Sequence, residues 1–141
     1  MPKQHKTRIM VFGTFDLLHK GHLHFFKQAR KLAKKVFLIV SVARDFNVKR
    51  IKGRKPRLPE KQRLAAIKSL RLVDNAVLGG IKNHIPHILK LKPEIIALGY
   101  DQKAYVLNLK SALKKQGLSL RIVRLKSFRP KLYKSSKINL P

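Results

Sequence analysis

The 141-residue chain contains no cysteine and only six acidic residues. Without cysteine there can be neither a disulfide nor a thiolate metal site, which fits a cytoplasmic protein. The acids are Asp16, Asp45, Glu60, Asp74, Glu94 and Asp101, so any carboxylate chemistry must draw on that short set. No run of about eighteen apolar residues occurs, so no membrane-spanning helix is expected. The opening residues MPKQHKTR lead towards a strand without an apolar signal core, so secretion is not expected either. Internal repeats and low-complexity linkers are also missing.

What is present in excess is positive charge. Thirty-four Lys and Arg leave a formal net charge of +28, which repels itself in any compact state. Anionic ligands or polymers would relieve that repulsion, so non-specific binding of nucleic acid through a basic surface has to be considered. A generally Lys-rich proteome would produce the same bias with no dedicated partner. The densest stretch is KRIKGRKPR, residues 49–57, with six cations in nine residues and no interleaved aromatic. The hydrophobic share is 44%. At this length it predicts one globular domain spanning residues 1–141.

Periodicity then orders the chain. RIMVFGTF (8–15) and the continuous, β-branched VFLIVSVA (36–43) predict buried strands. Residues 20–35 between them carry apolar side chains at helical spacing. Residues 44–59 show no clear period and contain Gly and Pro, so a loop is expected there. A helix at 59–72 is predicted next, with Pro59 and Glu60 suited to its first turn, then a short strand at 74–80. A short helix at 84–92, a strand at 93–101, a helix at 104–117 and a last strand at 118–125 complete the pattern. The tail KSFRPKLYKSSKINLP follows. Five alternations of strand and helix predict a Rossmann-like α/β fold. Its doubly wound sheet has about five parallel strands with helices on both faces. Ligands in such sheets sit beyond the carboxyl ends of the strands, where Gly13, Asp45, Gly79 and Asp101 are expected.

GTFDLLHKGH (13–22) sets His19 just before the first helix and His22 in its first turn. That spacing lets both imidazoles face one way. A helix start offers unpaired N–H groups and a positive dipole end, and Gly21 lets an anion approach the backbone closely. The imidazoles could donate to phosphate oxygens, either neutral through one N–H or protonated. Two other readings stay open at this point: a metal site, for which only Asp16 lies nearby, and histidines that merely cap the helix and pack.

The same stretch resembles the signature of the nucleotidyltransferase superfamily with the His-x-Gly-His motif, which includes cytidylyltransferases and adenylyltransferases. KSSKI (134–138) resembles that superfamily's second motif. ARDFNVKRIKGRKPRLPEKQR, LVDNAVLG, LKPEIIALGYDQ and RIVR are similar to stretches of the archaeal FAD synthetase family. The likeness covers roughly residues 8 to 138.

The resemblance implies transfer of a nucleoside monophosphate. An acceptor phosphate attacks the α-phosphorus of a nucleoside triphosphate and pyrophosphate leaves, with no covalent enzyme intermediate. It implies ATP and FMN as substrates, and Mg²⁺ bridging the phosphates. It also implies a homodimer. A CTP-dependent cytidylyltransferase acting on glycerol 3-phosphate is the second reading. A nucleotidyltransferase fold used mainly to bind nucleic acid is the third. By the same resemblance His19, His22 and Lys137 are catalytic. Gly13, Thr14, Phe15, Gly21, Asp101, Arg129, Ser135 and Ser136 bind the nucleotide. Asp16, Lys20 and Arg63 are candidates to hold phosphate or to orient a metal, and no protein ligand to the metal is assigned. His5, His24, His84 and His87 read as surface or packing residues.

Overall fold

A computed structural model describes residues 5–80, 84–99 and 106–126. Among these described residues ten elements follow in order. They are β1 (Thr7–Gly13), α1 (Lys20–Arg30), β2 (Val36–Val42), α2 (Asp45–Lys52) and α3 (Glu60–Lys68), then β3 (Asn75–Leu78), α4 (Ile85–Leu91), β4 (Ile95–Leu98), α5 (Val106–Lys115) and β5 (Arg121–Arg124). The strands form one sheet in the order β3-β2-β1-β4-β5. Every pair is parallel, as expected of a Rossmann-like α/β fold. The chain winds outward from β1 to β3, then returns to lay β4 against the other side of β1. The switch point therefore lies between β1 and β4, with the end of β1 pointing into it.

The alternation along β1 explains why helices cover both faces. Ile9 and Val11 are fully buried and pack with Phe26 and Ala29 of α1 and Ile67 of α3. Met10 and Phe12 point the other way, into a layer with Ile88 of α4 and Leu109 and Leu113 of α5. A period of two on each strand thus divides the apolar residues between two cores. The single polar residue facing inward on β2 is Ser41, whose hydroxyl lies 3.0 Å from Nε2 of His87 on α4. His84 meets the Phe12 ring edge-on at 5.5 Å. Both histidines are packing residues of that layer, and His5 pairs with Glu94 at 2.9 Å.

Several expectations need correction. The helix expected over 20–35 ends at Arg30, and that over 59–72 ends at Lys68. β1 ends at Gly13, and Phe15 lies outside it in the left-handed region with φ 52°. The largest difference is α2, a helix of eight residues inside the stretch expected to be a loop. Only Asn47 and Val48 are buried on it, too few to produce an apolar period. Its support comes from elsewhere in the chain. Glu60 Oε1 accepts the Asp45 N–H at 2.9 Å, Asn47 Nδ2 donates to Gly80 O at 2.8 Å, and Gly53 closes the helix at φ 80°.

Candidate active site

The loop from Gly13 to His19 leaves β1 at the switch point and enters α1. Phe15 folds back so that its ring occupies the space beside Gly13. A Cβ built on Gly13 would stand 2.5 Å from Phe15 Cζ. The Phe15 side chain is 5% exposed and joins the core with Phe26. Glycine at 13 is therefore required by the returning ring, and what Phe15 can offer a ligand is its backbone.

His19 is the N-cap of α1 and His22 is its third residue, and the two form a reciprocal capping box. His19 Nδ1 accepts the Gly21 N–H at 3.0 Å, and His22 Nδ1 accepts the His19 N–H at 3.3 Å. An acceptor nitrogen carries no proton, so in each neutral ring the proton sits on Nε2. The rings stack with centroids 3.9 Å apart, and Phe15 closes against His22 edge-on at 5.4 Å. Burial lowers the His22 pKa to about 4, with the neighbouring His19 as a second cause. Burial also lowers that of His19. At neutral pH both are uncharged imidazoles with an Nε2–H at the positive end of a helix. The capping reading of this motif is thus realised through Nδ1, and it is what sets Nε2 as a donor.

The motif loop is tied down from the side of α2 and α3. Both carboxylate oxygens of Asp16 accept backbone N–H groups, from Arg57 at 2.7 Å and Leu58 at 2.8 Å. Desolvation raises the Asp16 pKa. The two backbone bonds outweigh it, with help from the charges of Arg63 and Arg57, and hold the carboxyl below its ordinary value. Asp16 is therefore a clasp between the motif loop and the end of the basic stretch.

Arg63 does not stand where a phosphate could reach it. Its side chain is 0% exposed. Its guanidinium donates to Thr14 O at 2.9 Å, to Leu58 O at 3.0 Å and to Asp45 Oδ1 at 2.6 Å. The expectation of a phosphate ligand read the charge correctly and the location wrongly, because burial commits this cation to three internal acceptors. It braces the motif loop against the start of α2. Sequence reasoning passed over Lys52, whose Nζ lies 3.4 Å from Thr14 Oγ1. Its ammonium reaches the motif loop, as Arg57 does through its backbone N–H. No local signal distinguishes Lys52 from its neighbours, since the selection is made by where α2 ends.

The remaining residues divide simply. Gly21 donates its N–H to the cap, and Lys20 is exposed at the first position of α1. Asp101, Arg129, Ser135, Ser136 and Lys137 lie outside the described residues. Among the described residues no group of three or more His, Asp or Glu side chains could hold a metal ion. No described helix is long and apolar enough to cross a membrane.

A helix start bearing two neutral imidazoles, at the switch point of a parallel sheet, is suited to holding a polyphosphate. Residues 10–139 match the cytidylyltransferase-like family, and the chain belongs to it. It is an enzyme of the nucleotidyltransferase class. Among its relatives is the FAD synthase of Methanosarcina barkeri, 46% identical over 119 residues, which are 84% of this chain and 83% of that protein. The FAD synthase of Archaeoglobus profundus is 44% identical over 121 residues, 86% of this chain and 76% of that protein. A crystal structure from Thermoplasma volcanium, described as a lipopolysaccharide core biosynthesis protein, superposes with a TM-score of 0.79 at 41% identity. That match covers 86% of this chain and 98% of the other.

Proposed function

We propose that this chain transfers the adenylyl group of ATP to FMN, giving FAD and pyrophosphate. The observation that carries the reading is the high identity to FAD synthases over most of both chains, together with the paired imidazoles at the start of α1. A phosphate oxygen of FMN attacks the α-phosphorus of ATP. The bond from that phosphorus to the bridging oxygen breaks, and the electron pair leaves with pyrophosphate. No side chain need be covalently modified, which agrees with a site lacking any thiol. Catalysis is then positioning plus stabilisation of the negative charge on the pentacoordinate phosphorus.

In this scheme the Nε2–H groups of His19 and His22 donate to phosphate oxygens. Being neutral, they need shed no proton when the product leaves. Lys52 supplies charge at Thr14, and Lys20 adds it at the mouth of the helix. Lys137, Arg129, Ser135 and Ser136 are proposed for the β- and γ-phosphates and Asp101 for the nucleoside, on the resemblance of their motifs. Asp16 does not fit as a metal ligand, because both its oxygens already hold backbone N–H groups. Mg²⁺ is accordingly proposed to arrive on the triphosphate as part of the substrate. A homodimer and a cytoplasmic location belong to the same proposal.

The test crosses ATP and CTP against FMN and glycerol 3-phosphate with Mg²⁺, following pyrophosphate release and product mass. FAD formed only from ATP and FMN, and lost in His22→Asn, is the expected result. CDP-glycerol as the product would replace this reading with a cytidylyltransferase. Silence in all four combinations from folded protein would overturn both.

A further inference from the structure

The five acids among the described residues have a common structural use. Asp16 accepts the N–H groups of Arg57 and Leu58, and Asp45 and Glu60 accept each other's. Asp74 accepts the Leu38 N–H and pairs with Arg30, while Glu94 accepts the Arg8 N–H and pairs with His5. Every carboxylate among the described residues thus holds a backbone N–H of a distant segment. The four ion pairs among those residues engage His5, Arg30, Arg44 and Arg63, none of them from the basic stretch 49–57. Among the described residues no carboxylate forms an ion pair with Lys49, Arg50, Arg54 or Lys55, and Lys52 reaches Thr14 instead.

α2 gives those cations a fixed arrangement. Residues 49–55 are exposed, and so is Phe46, with 63% of its surface open to solvent. Phe46, Lys49, Arg50 and Gly53 stand at i, i+3, i+4 and i+7, which places the ring and two cations on one face. Asn47 and Val48 anchor the opposite side in the protein. Arg50 is steadied by Asn47 Oδ1 at 3.4 Å. The sequence shows no aromatic within the basic run, yet the helix brings one beside it. An open ring flanked by cations is the pattern that stacks an unpaired base and holds the phosphates on either side.

We propose that this face of α2 binds single-stranded nucleic acid without sequence preference, one base stacking on Phe46 while Lys49 and Arg50 meet the adjoining phosphates. Single strands fit better than duplex because only an unpaired base presents its face to the ring. A membrane fits less well. A helix of eight residues with Lys49, Arg50 and Lys52 among its exposed side chains has no continuous apolar face to bury in lipid.

The test is fluorescence anisotropy with labelled 20-mers of uridine and of thymidine, from 50 to 200 mM NaCl. Binding that weakens with salt is expected. Phe46→Ala should lose about ten-fold in affinity with the salt slope unchanged. The double variant Lys49→Gln/Arg50→Gln should flatten the log–log slope by about 1.4, roughly 0.7 for each cation. Lys114→Gln/Lys115→Gln on α5 removes the same charge elsewhere and should leave both quantities near those of the parent. The proposal fails if Phe46→Ala binds like the parent, or if the α5 pair weakens binding as much as the α2 pair. It fails too if sedimentation shows a dimer that Phe46→Ala dissociates while oligonucleotide affinity is unchanged. Binding to phosphatidylglycerol vesicles without binding to either oligonucleotide would likewise overturn it. Thermal melts establish that each variant is folded.

Discussion

Asp45 and Glu60, the first residues of α2 and α3, cap each other's helix. Glu60 Oε1 accepts the Asp45 N–H at 2.9 Å, and Asp45 Oδ2 accepts the Glu60 N–H at 3.2 Å. Each carboxylate thus satisfies an orphan donor of the other helix and sits at its positive end. Arg63 and Arg44 supply the counter-charge, through Asp45 Oδ1 at 2.6 Å and Glu60 Oε2 at 3.5 Å. The pair holds α2, and hence Lys52, at the edge of the motif loop.

Arg63 makes that arrangement testable. Removing a buried cation leaves Asp45 Oδ1, Thr14 O and Leu58 O without their donor. Arg63→Met should cost on the order of 3 kcal/mol, at the lower end for a broken buried pair because Asp45 is partly exposed. For a chain of this size that corresponds to a Tm lower by roughly 10 °C. Differential scanning calorimetry measures it. A variant with the parent's Tm but no transferase activity would return Arg63 to the role of phosphate ligand.

His22 predicts an acid-sensitive fold. Its pKa is about 4 in the folded protein, against an ordinary value of 6.5. The unfolded chain therefore binds the proton more readily, and the contribution of neutral His22 is complete above pH 6.5. It is lost progressively as the pH falls from 6.5 towards 4, by on the order of 2–3 kcal/mol. Urea melts across that range should show the decline, and His22→Asn should lack most of it. Imidazole ¹⁵N shifts should report the Nε2–H tautomer at pH 7 for both histidines. An apparent His22 pKa near 6.5 would contradict this account of the capping box.

Gly13 offers a steric test with a built-in rescue. In Gly13→Ala the new methyl would overlap the Phe15 ring, its nearest atom 2.5 Å away, so the ring must leave its place in the core. A loss of about 2–4 kcal/mol is expected, typical of displacing a large core side chain. Combining it with Phe15→Leu should recover part of that loss, because the shorter side chain clears the methyl. Chemical denaturation of the three variants gives the coupling. Simple additivity would show that the glycine is needed for something other than the ring.

Much of the architecture is legible in the sequence because it depends on spacing along the chain. The alternation of Ile9 and Val11 with Met10 and Phe12 follows from the pleat, and the continuous apolar run of β2 from burial on both faces. His19, Gly21 and His22 can be read as an anion site because they are close neighbours at a helix start. α2 is not legible in this way. It lacks an apolar period, and its stabilising partners Glu60 and Gly80 lie well beyond it in sequence.

The sequence by itself determined the parallel α/β sheet, the switch point at the end of β1 and the histidine motif placed there, since periodicity and capping are local properties. Only the tertiary structure decided which charges face solvent and which are internal. A guanidinium has the same charge at positions 50, 57 and 63, yet Arg63 alone of these is enclosed and matched to three oxygens. Asp16 finds its donors some forty residues away, at Arg57 and Leu58. Such pairings are chosen by which segments the folded chain brings within hydrogen-bonding distance. Their energy depends on desolvation at that meeting point, and no local pattern records either quantity.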